Sequence, residues 1–176
     1  MKKLFLIVLC VLIVSVPLSA ETWMKGVIIR MDGKILVPEA IRGDTELWGK
    51  FQDTKLRIRF DKLLVITFLK HNPMFTSDIE VINLKERAFI IKDTSLVNTW
   101  NKYGGVVTYQ FYDPINDKII ERTIARKKIL QIILDYDRGD LKQNPKTGRY
   151  YPVSFNVDPV TGEKLIWASI DEHMIR

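Results

Sequence analysis

The stretch Ile58–Phe68, IRFDKLLVITF, recurs 66 residues later as Ile124–Leu134, IARKKILQIIL. Apolar residues coincide at Ile58/Ile124, Leu63/Ile129, Leu64/Leu130, Ile66/Ile132 and Phe68/Leu134. Such a repeat constrains the fold more than any other feature, because a chain made of two copies of one unit must bury the same apolar pattern twice. Upstream, Trp48-Gly-Lys-Phe51 lies over Trp100-Asn-Lys-Tyr103 at an offset of 52, and the same offset sets Ile29 on Val81. The two offsets differ by 14 residues, which predicts an insertion in the second copy between Tyr103 and Ile124. A hairpin fits there: Val107, Tyr109 and Phe111 alternate with Thr108 and Gln110, Asp113-Pro-Ile-Asn-Asp117 makes a turn, and Lys118 to Arg122 returns. Chance likeness between short apolar patterns is the competing reading.

Within the copies the periodicity is that of strands. Leu56, Ile58 and Phe60 alternate with Arg57 and Arg59, and after the break at Asp61-Lys62, Leu64, Ile66 and Phe68 alternate with Val65 and Thr67. Asp32-Gly33 between Val27–Met31 and Lys34–Val37 is a hairpin signal. Four or five short strands per copy predict a mainly β protein of two tandem small β-barrel or sandwich modules, residues 24–70 and 77–135. The ending of strand, charged break, Leu or Ile, strand resembles the last strands of SH3-like and Sm-like barrels, tandem forms of which occur in uncharacterised exported bacterial proteins. The resemblance spans about eleven residues per copy and implies a fold; it carries no functional residue across.

Residues 136–176 differ in character. A polar segment from Asp135 to Lys146 leads into two turns, Asn144-Pro-Lys-Thr-Gly148 and Asp158-Pro-Val-Thr-Gly162, with proline early and glycine late. Arg149 to Asn156 and Lys164 to Ile170 are then the expected strands of a carboxyl-terminal β-hairpin, placed to pack on the second module or to add a strand to a partner.

At the amino end, Lys2 and Lys3 precede an apolar run from Leu4 to Val14, Pro17 breaks it, and the small Ala20 stands before Glu21. These are the parts of a signal peptide, residues 1–20, cleaved after Ala20. The run is shorter than the roughly 20 apolar residues that span a bilayer. Cys10 follows Ile7, Val8 and Leu9 inside that run, so it reads as apolar filler and not as an acylation site. Cleavage removes two lysines and no acid, taking the net charge from +6 to +4 and leaving a chain without cysteine. Such a chain has no disulfide, thiolate metal site or cysteine nucleophile, and its core alone must hold it. Export to the periplasm or the exterior follows as the expectation, and nucleic acid is excluded as a partner on that ground.

Several residues invite a chemical reading, each with a plainer one beside it. Trp48 and Trp100, each next to a lysine and an aromatic residue, could stack on a sugar or peptide, although a duplicated tryptophan more often anchors a core. Arg122, Arg126, Lys127 and Lys128, aligned with Arg57, Arg59 and Lys62, could meet an anionic envelope surface, or be a solvated rim. Asp135, Asp137 and Asp140 alternate like the start of a calcium loop. The sixth and twelfth places of such a loop hold Asp140 and Lys146 where glycine and glutamate are needed, so a solvated strand end competes. His71 and His173 are too few for a histidine metal site, and His71 before Asn72-Pro73 reads as linker. The RGD triplets at Arg42 and Arg138 read as turn chemistry.

The sequence holds no G-x-S-x-G elbow, no H-E-x-x-H pair and no cofactor motif, and no cofactor is expected. The reading favoured by these residues is an exported, non-enzymatic binding or assembly module of the bacterial cell envelope. Its partner would be an envelope protein or an anionic envelope surface, with only peripheral membrane contact. Two rival classes stay open: a hydrolase of envelope polymers using paired carboxylates, and a membrane-anchored accessory subunit if the signal segment is retained.

Overall fold

The structure, a computed structural model, describes residues 22–43, 46–71, 77–95, 106–137 and 140–168. The expected signal segment 1–20, Trp100, Arg138 and His173 lie outside them. The chain is mainly β. The first copy contributes β1 (Thr22–Met24), β2 (Gly26–Arg30), β3 (Ile35–Leu36), β4 (Ala40–Gly43), β5 (Glu46–Phe51), β6 (Thr54–Arg59) and β7 (Leu63–His71). The second contributes β8 (Ser77–Asn83), β9 (Ala88–Ser95), β10 (Val106–Asp113), β11 (Lys118–Ala125) and β12 (Ile129–Leu134). The charged breaks seen in the sequence are single turns of 3-10 helix, Phe60–Lys62 and Arg126–Lys128, each joining a hairpin's second strand to the long strand after it. The two turns sit alike: Leu84 N–H donates to the Lys62 carbonyl at 3.1 Å, and Met31 N–H donates to the Lys128 carbonyl at 2.9 Å.

The strands of each copy pair with strands of the other. β2, the first copy's counterpart of β8, lies antiparallel to β12, which closes the second; β8, which opens the second, lies against β7, which closes the first. Likewise β4 pairs with β10, and β9 with β5. Gly49 belongs to the β5–β9 crossing, where a Cβ would run into the Ile91 side chain and the Lys92 carbonyl. At the centre β7 and β12 pair with Ile66 opposite Ile132, the residues that the sequence overlay had matched. Equivalent residues facing each other are what a two-fold axis through the sheet produces, and the flanking pairs Val65/Ile133 and Thr67/Gln131 obey it. The duplication is thus an internal pseudo-dimer with exchanged strands. The expected boundary between residues 70 and 77 separates the copies in sequence, while the hydrogen bonding runs across it. The copies share one eight-stranded sheet, β3-β2-β12-β7-β8-β9-β5-β6, beside a four-stranded one, β1-β4-β10-β11, and neither copy closes a barrel.

The exchange explains a departure from alternation. β2, β8 and β12 are buried at nearly every position, because the middle of the large sheet is covered on both faces. One face packs Ile28, Leu47, Phe60, Ile66, Ile79, Ile91, Val107 and Ile132 between the sheets. The other packs Val27, Ile29, Val65, Ile82 and Ile133 against Leu141, Tyr151, Phe155 and Leu165 of the carboxyl-terminal segment. That segment is a lobe built on a three-stranded sheet: β13 (Lys142–Gln143) lies between β14 (Tyr150–Tyr151) and β15 (Ile166–Trp167). The two strands expected to form a hairpin there pair with β13 instead, and between them the described residues show the isolated bridge Val157–Lys164 in place of a hairpin ladder. Pro152, which has no N–H to give, ends β14 after two residues.

Candidate functional site

The two copies differ most in their hairpins. β5 and β6 close through a two-residue turn, Gln52-Asp53, both at positive φ (47° and 62°), the mirror-image turn that matches strand twist. β10 and β11 are eight residues each and pair along their whole length, from Val106–Ala125 to Asp113–Lys118. β4 reaches β10 only at Tyr109 and Gln110, so the hairpin runs on past the sheet from Phe111 to its turn. The extension displays apolar side chains: Tyr112 and Ile119 are cross-strand partners and exposed, and Ile115 at the tip is 91% exposed. Its turn is nonetheless ordered by local bonds. Asp113 accepts from Ile115 N–H (3.0 Å) and from the Asn116 amide (2.7 Å), and these bonds, the Asn116 side chain first, hold its carboxyl below the ordinary value. The Tyr112 hydroxyl donates to Asp117 at 2.5 Å, which raises its pKa.

Among the described residues, β11 and β6 are also the sheet edges left without a neighbour on one side at the hairpin end of each sheet. β6 carries Lys55, Arg57 and Arg59 outward, the charged edge that discourages further pairing. β11 is longer and mixes Lys118, Glu121, Arg122 and Thr123 with the exposed Ile119.

The residues singled out from sequence scatter. Trp48 lies on β5 with over a third of its surface exposed, so it is no core anchor; Leu47, its neighbour on the other face of the strand, is buried instead. Its ring is no open stacking platform either. Arg57, directly across on β6, lays its guanidinium 3.5 Å from the ring centroid. Arg122 is exposed on β11, 5.1 Å from the Phe111 ring, and shares a shallow recess with Arg42, Tyr109 and Glu121. Arg126 does not join it in a basic patch. The first residue of each 3-10 turn points inward, Phe60 in one copy and Arg126 in the other, and desolvation lowers the Arg126 pKa. Lys127 and Lys128 remain exposed.

The acidic run does not converge. Asp135 turns at positive φ and gives its N–H to the Lys25 carbonyl, Asp137 forms an ion pair with Lys25 at 2.9 Å, and the Asp140 carbonyl accepts the Tyr136 hydroxyl. No three acidic, histidine or cysteine side chains among the described residues are grouped to hold a metal ion. His71 ends β7 opposite Ser77.

Two arrangements escaped the reading of the sequence. A groove of about 430 Å³ with Met24, Phe60, Leu63 and Leu134 among its lining residues has Lys25, Arg59, Asp61 and Asp135 around them. Its charges are largely spent on one another or on neighbours, Arg59 binding Asp61 through two nitrogens at 3.1 and 2.9 Å. The lobe is fastened to the sheet by buried polar groups. Gln131 gives its amide to the Tyr150 carbonyl (3.2 Å) and to Thr67 (3.0 Å), and accepts the Tyr150 N–H (2.7 Å). Arg149 binds the buried Glu80 at 2.7 Å; burial raises the Glu80 pKa against the pull of that arginine. Glu80 does not line the groove, so the raised carboxyl that a hydrolase would place in a cleft is held here by a structural ion pair.

Comparison with protein-family models, with curated proteins and with solved structures gives no significant match.

Proposed function

We propose that the protein is an exported, non-enzymatic binding or assembly module of the cell envelope that takes a protein partner at the β10–β11 hairpin. The observation that carries this reading is the hairpin itself: longer than its counterpart β5–β6, running past its sheet, with apolar side chains at its tip and, among the described residues, an edge strand open along one side. An extended segment of the partner would pair with β11 through backbone hydrogen bonds, while Ile115 and Ile119 contribute apolar contact. A protein partner is favoured over an anionic surface because Arg126 is buried, which breaks the basic run, while the most exposed side chains of the hairpin's extension include the apolar Ile115 and Ile119.

The test is crosslinking of the tagged chain in envelope fractions, beside the double variant Ile115→Asp, Ile119→Asp, with mass spectrometry of the bait's amino terminus and of what accompanies it. One stoichiometric protein partner, lost with the double variant while the fold persists, is the expected result. A partner kept by the variant, or glycan fragments alone, overturns the reading. A bait that starts at Glu21 agrees with cleavage; one that keeps residues 1–20 makes the protein an anchored subunit.

A further inference from the structure

The two turns of the lobe, N-P-K-T-G at Asn144 and D-P-V-T-G at Asp158, match in hydrogen bonding as well as in sequence. In each, the side-chain oxygen of the first residue accepts the N–H groups two and three residues on: Asn144 Oδ1 from Lys146 (2.8 Å) and Thr147 (3.2 Å), Asp158 Oδ1 from Val160 (2.8 Å) and Thr161 (3.2 Å). The threonine oxygen in turn accepts the N–H two residues further, from Arg149 at 3.4 Å and from Glu163 at 3.3 Å. The glycine sits at φ 70° or 73°, and its N–H closes the turn on the carbonyl of the first residue. The turns then meet face to face. The Asn144 amide donates to Asp158 Oδ2 at 2.6 Å and to Thr161 Oγ1 at 3.1 Å, and Asn144 and Asp158 are wholly buried.

Two C-x-x-C turns facing each other, each first sulfur capped by the amides that follow it, are how small β lobes gather four thiolates around one tetrahedral zinc ion. The spacing is the same here, with oxygen and nitrogen at the four donor places: Asn144, Thr147, Asp158 and Thr161. We propose that the lobe is a metal-free counterpart of a four-cysteine zinc site, in which the hydrogen bonds between Asn144, Asp158 and Thr161 replace the ion as the clasp between the turns. A hard cation gains nothing from the native set, because the Asp158 oxygens are already filled by two backbone N–H groups and the Asn144 amide. A clasp of this kind needs neither metal supply nor reduced thiols, which fits a chain whose one cysteine, Cys10, lies in the expected signal segment.

The experiment restores the thiolates. In the full chain carrying Cys10→Ser, the substitutions Asn144→Cys, Thr147→Cys, Asp158→Cys and Thr161→Cys are made together, and Co²⁺ is titrated as a coloured stand-in for Zn²⁺. One equivalent of Co²⁺ bound with the intense visible bands of a tetrahedral thiolate centre, displaced by Zn²⁺, is expected, whether the metal-free variant is folded or folds only when the ion is added. A variant that takes up no ion, or holds Co²⁺ only in octahedral form, overturns the proposal. The unaltered chain supplies the second arm: its thermal midpoint should be unchanged by a strong chelator, and a fall on chelation would show that the native turns hold a metal and so would also overturn it.

Discussion

The two copies of the strand unit agree at the axis, where Ile66 and Ile132 face each other, and diverge beside it and at their hairpins. Ile66 and Ile132 oppose one another at the axis, both fully buried, and β2 and β8 each pair with the last strand of the other copy. Elsewhere the first copy has a two-residue turn where the second has an extended hairpin, Phe60 where the second has Arg126, and, directly beside the axis, Val65 where the second has Gln131. The shared residues are those that burial forces to be apolar. The differing ones each have a use of their own: Gln131 holds the lobe, and the hairpin shows Ile115 and Ile119 to the solvent. A single lobe on a two-fold platform needs such a difference, because symmetry alone offers it two equal seats.

The comparison breaks first at the axis. Ile66→Ala and Ile132→Ala should each cost about 2–5 kcal/mol of unfolding free energy, and should cost nearly the same, because each removes a fully buried side chain from equivalent surroundings. Denaturant unfolding of the two variants measures this, and clearly unequal losses would end the two-fold description. Next comes Gln131→Val, which places the first copy's residue in the second. It leaves the Tyr150 N–H and carbonyl without their side-chain partner, at about 1–3 kcal/mol. Hydrogen exchange should show the loss as faster opening of the lobe, with the strands around the axis still protected. The smallest effect sharpens the contrast between hairpins. Gln52→Asn with Asp53→Gly relieves two positive-φ residues in the tight turn and should stabilise the chain by roughly 1 kcal/mol, read as a higher midpoint in thermal unfolding.

Much of the molecule was legible in its residues. The overlay of Ile58–Phe68 on Ile124–Leu134 located both strand–turn–strand units, the alternation from Val107 located the hairpin, which is the longer counterpart of β5–β6 and not the expected insertion, and the Pro and Gly positions located the lobe's turns. The site was legible only as that hairpin. Which face of a 3-10 turn a basic residue takes is decided by packing, so Arg126 and Lys127 look alike in the sequence and part company in the fold. Trp48 misled for a related reason: its neighbour Leu47 shares the strand, and only the fold says which of the two faces the core.

The sequence by itself determined many of the local elements, since apolar period, turn chemistry and repeat offset are properties of neighbouring residues. Tertiary structure decided the partners. A backbone hydrogen bond is the same whichever strand supplies it, so nothing in β2 names β12 over β7 as its neighbour. That choice is made by the burial of two faces at once. The exchanged arrangement puts both copies' apolar strands in the middle of one sheet, with the four-stranded sheet packed on one face and the lobe on the other.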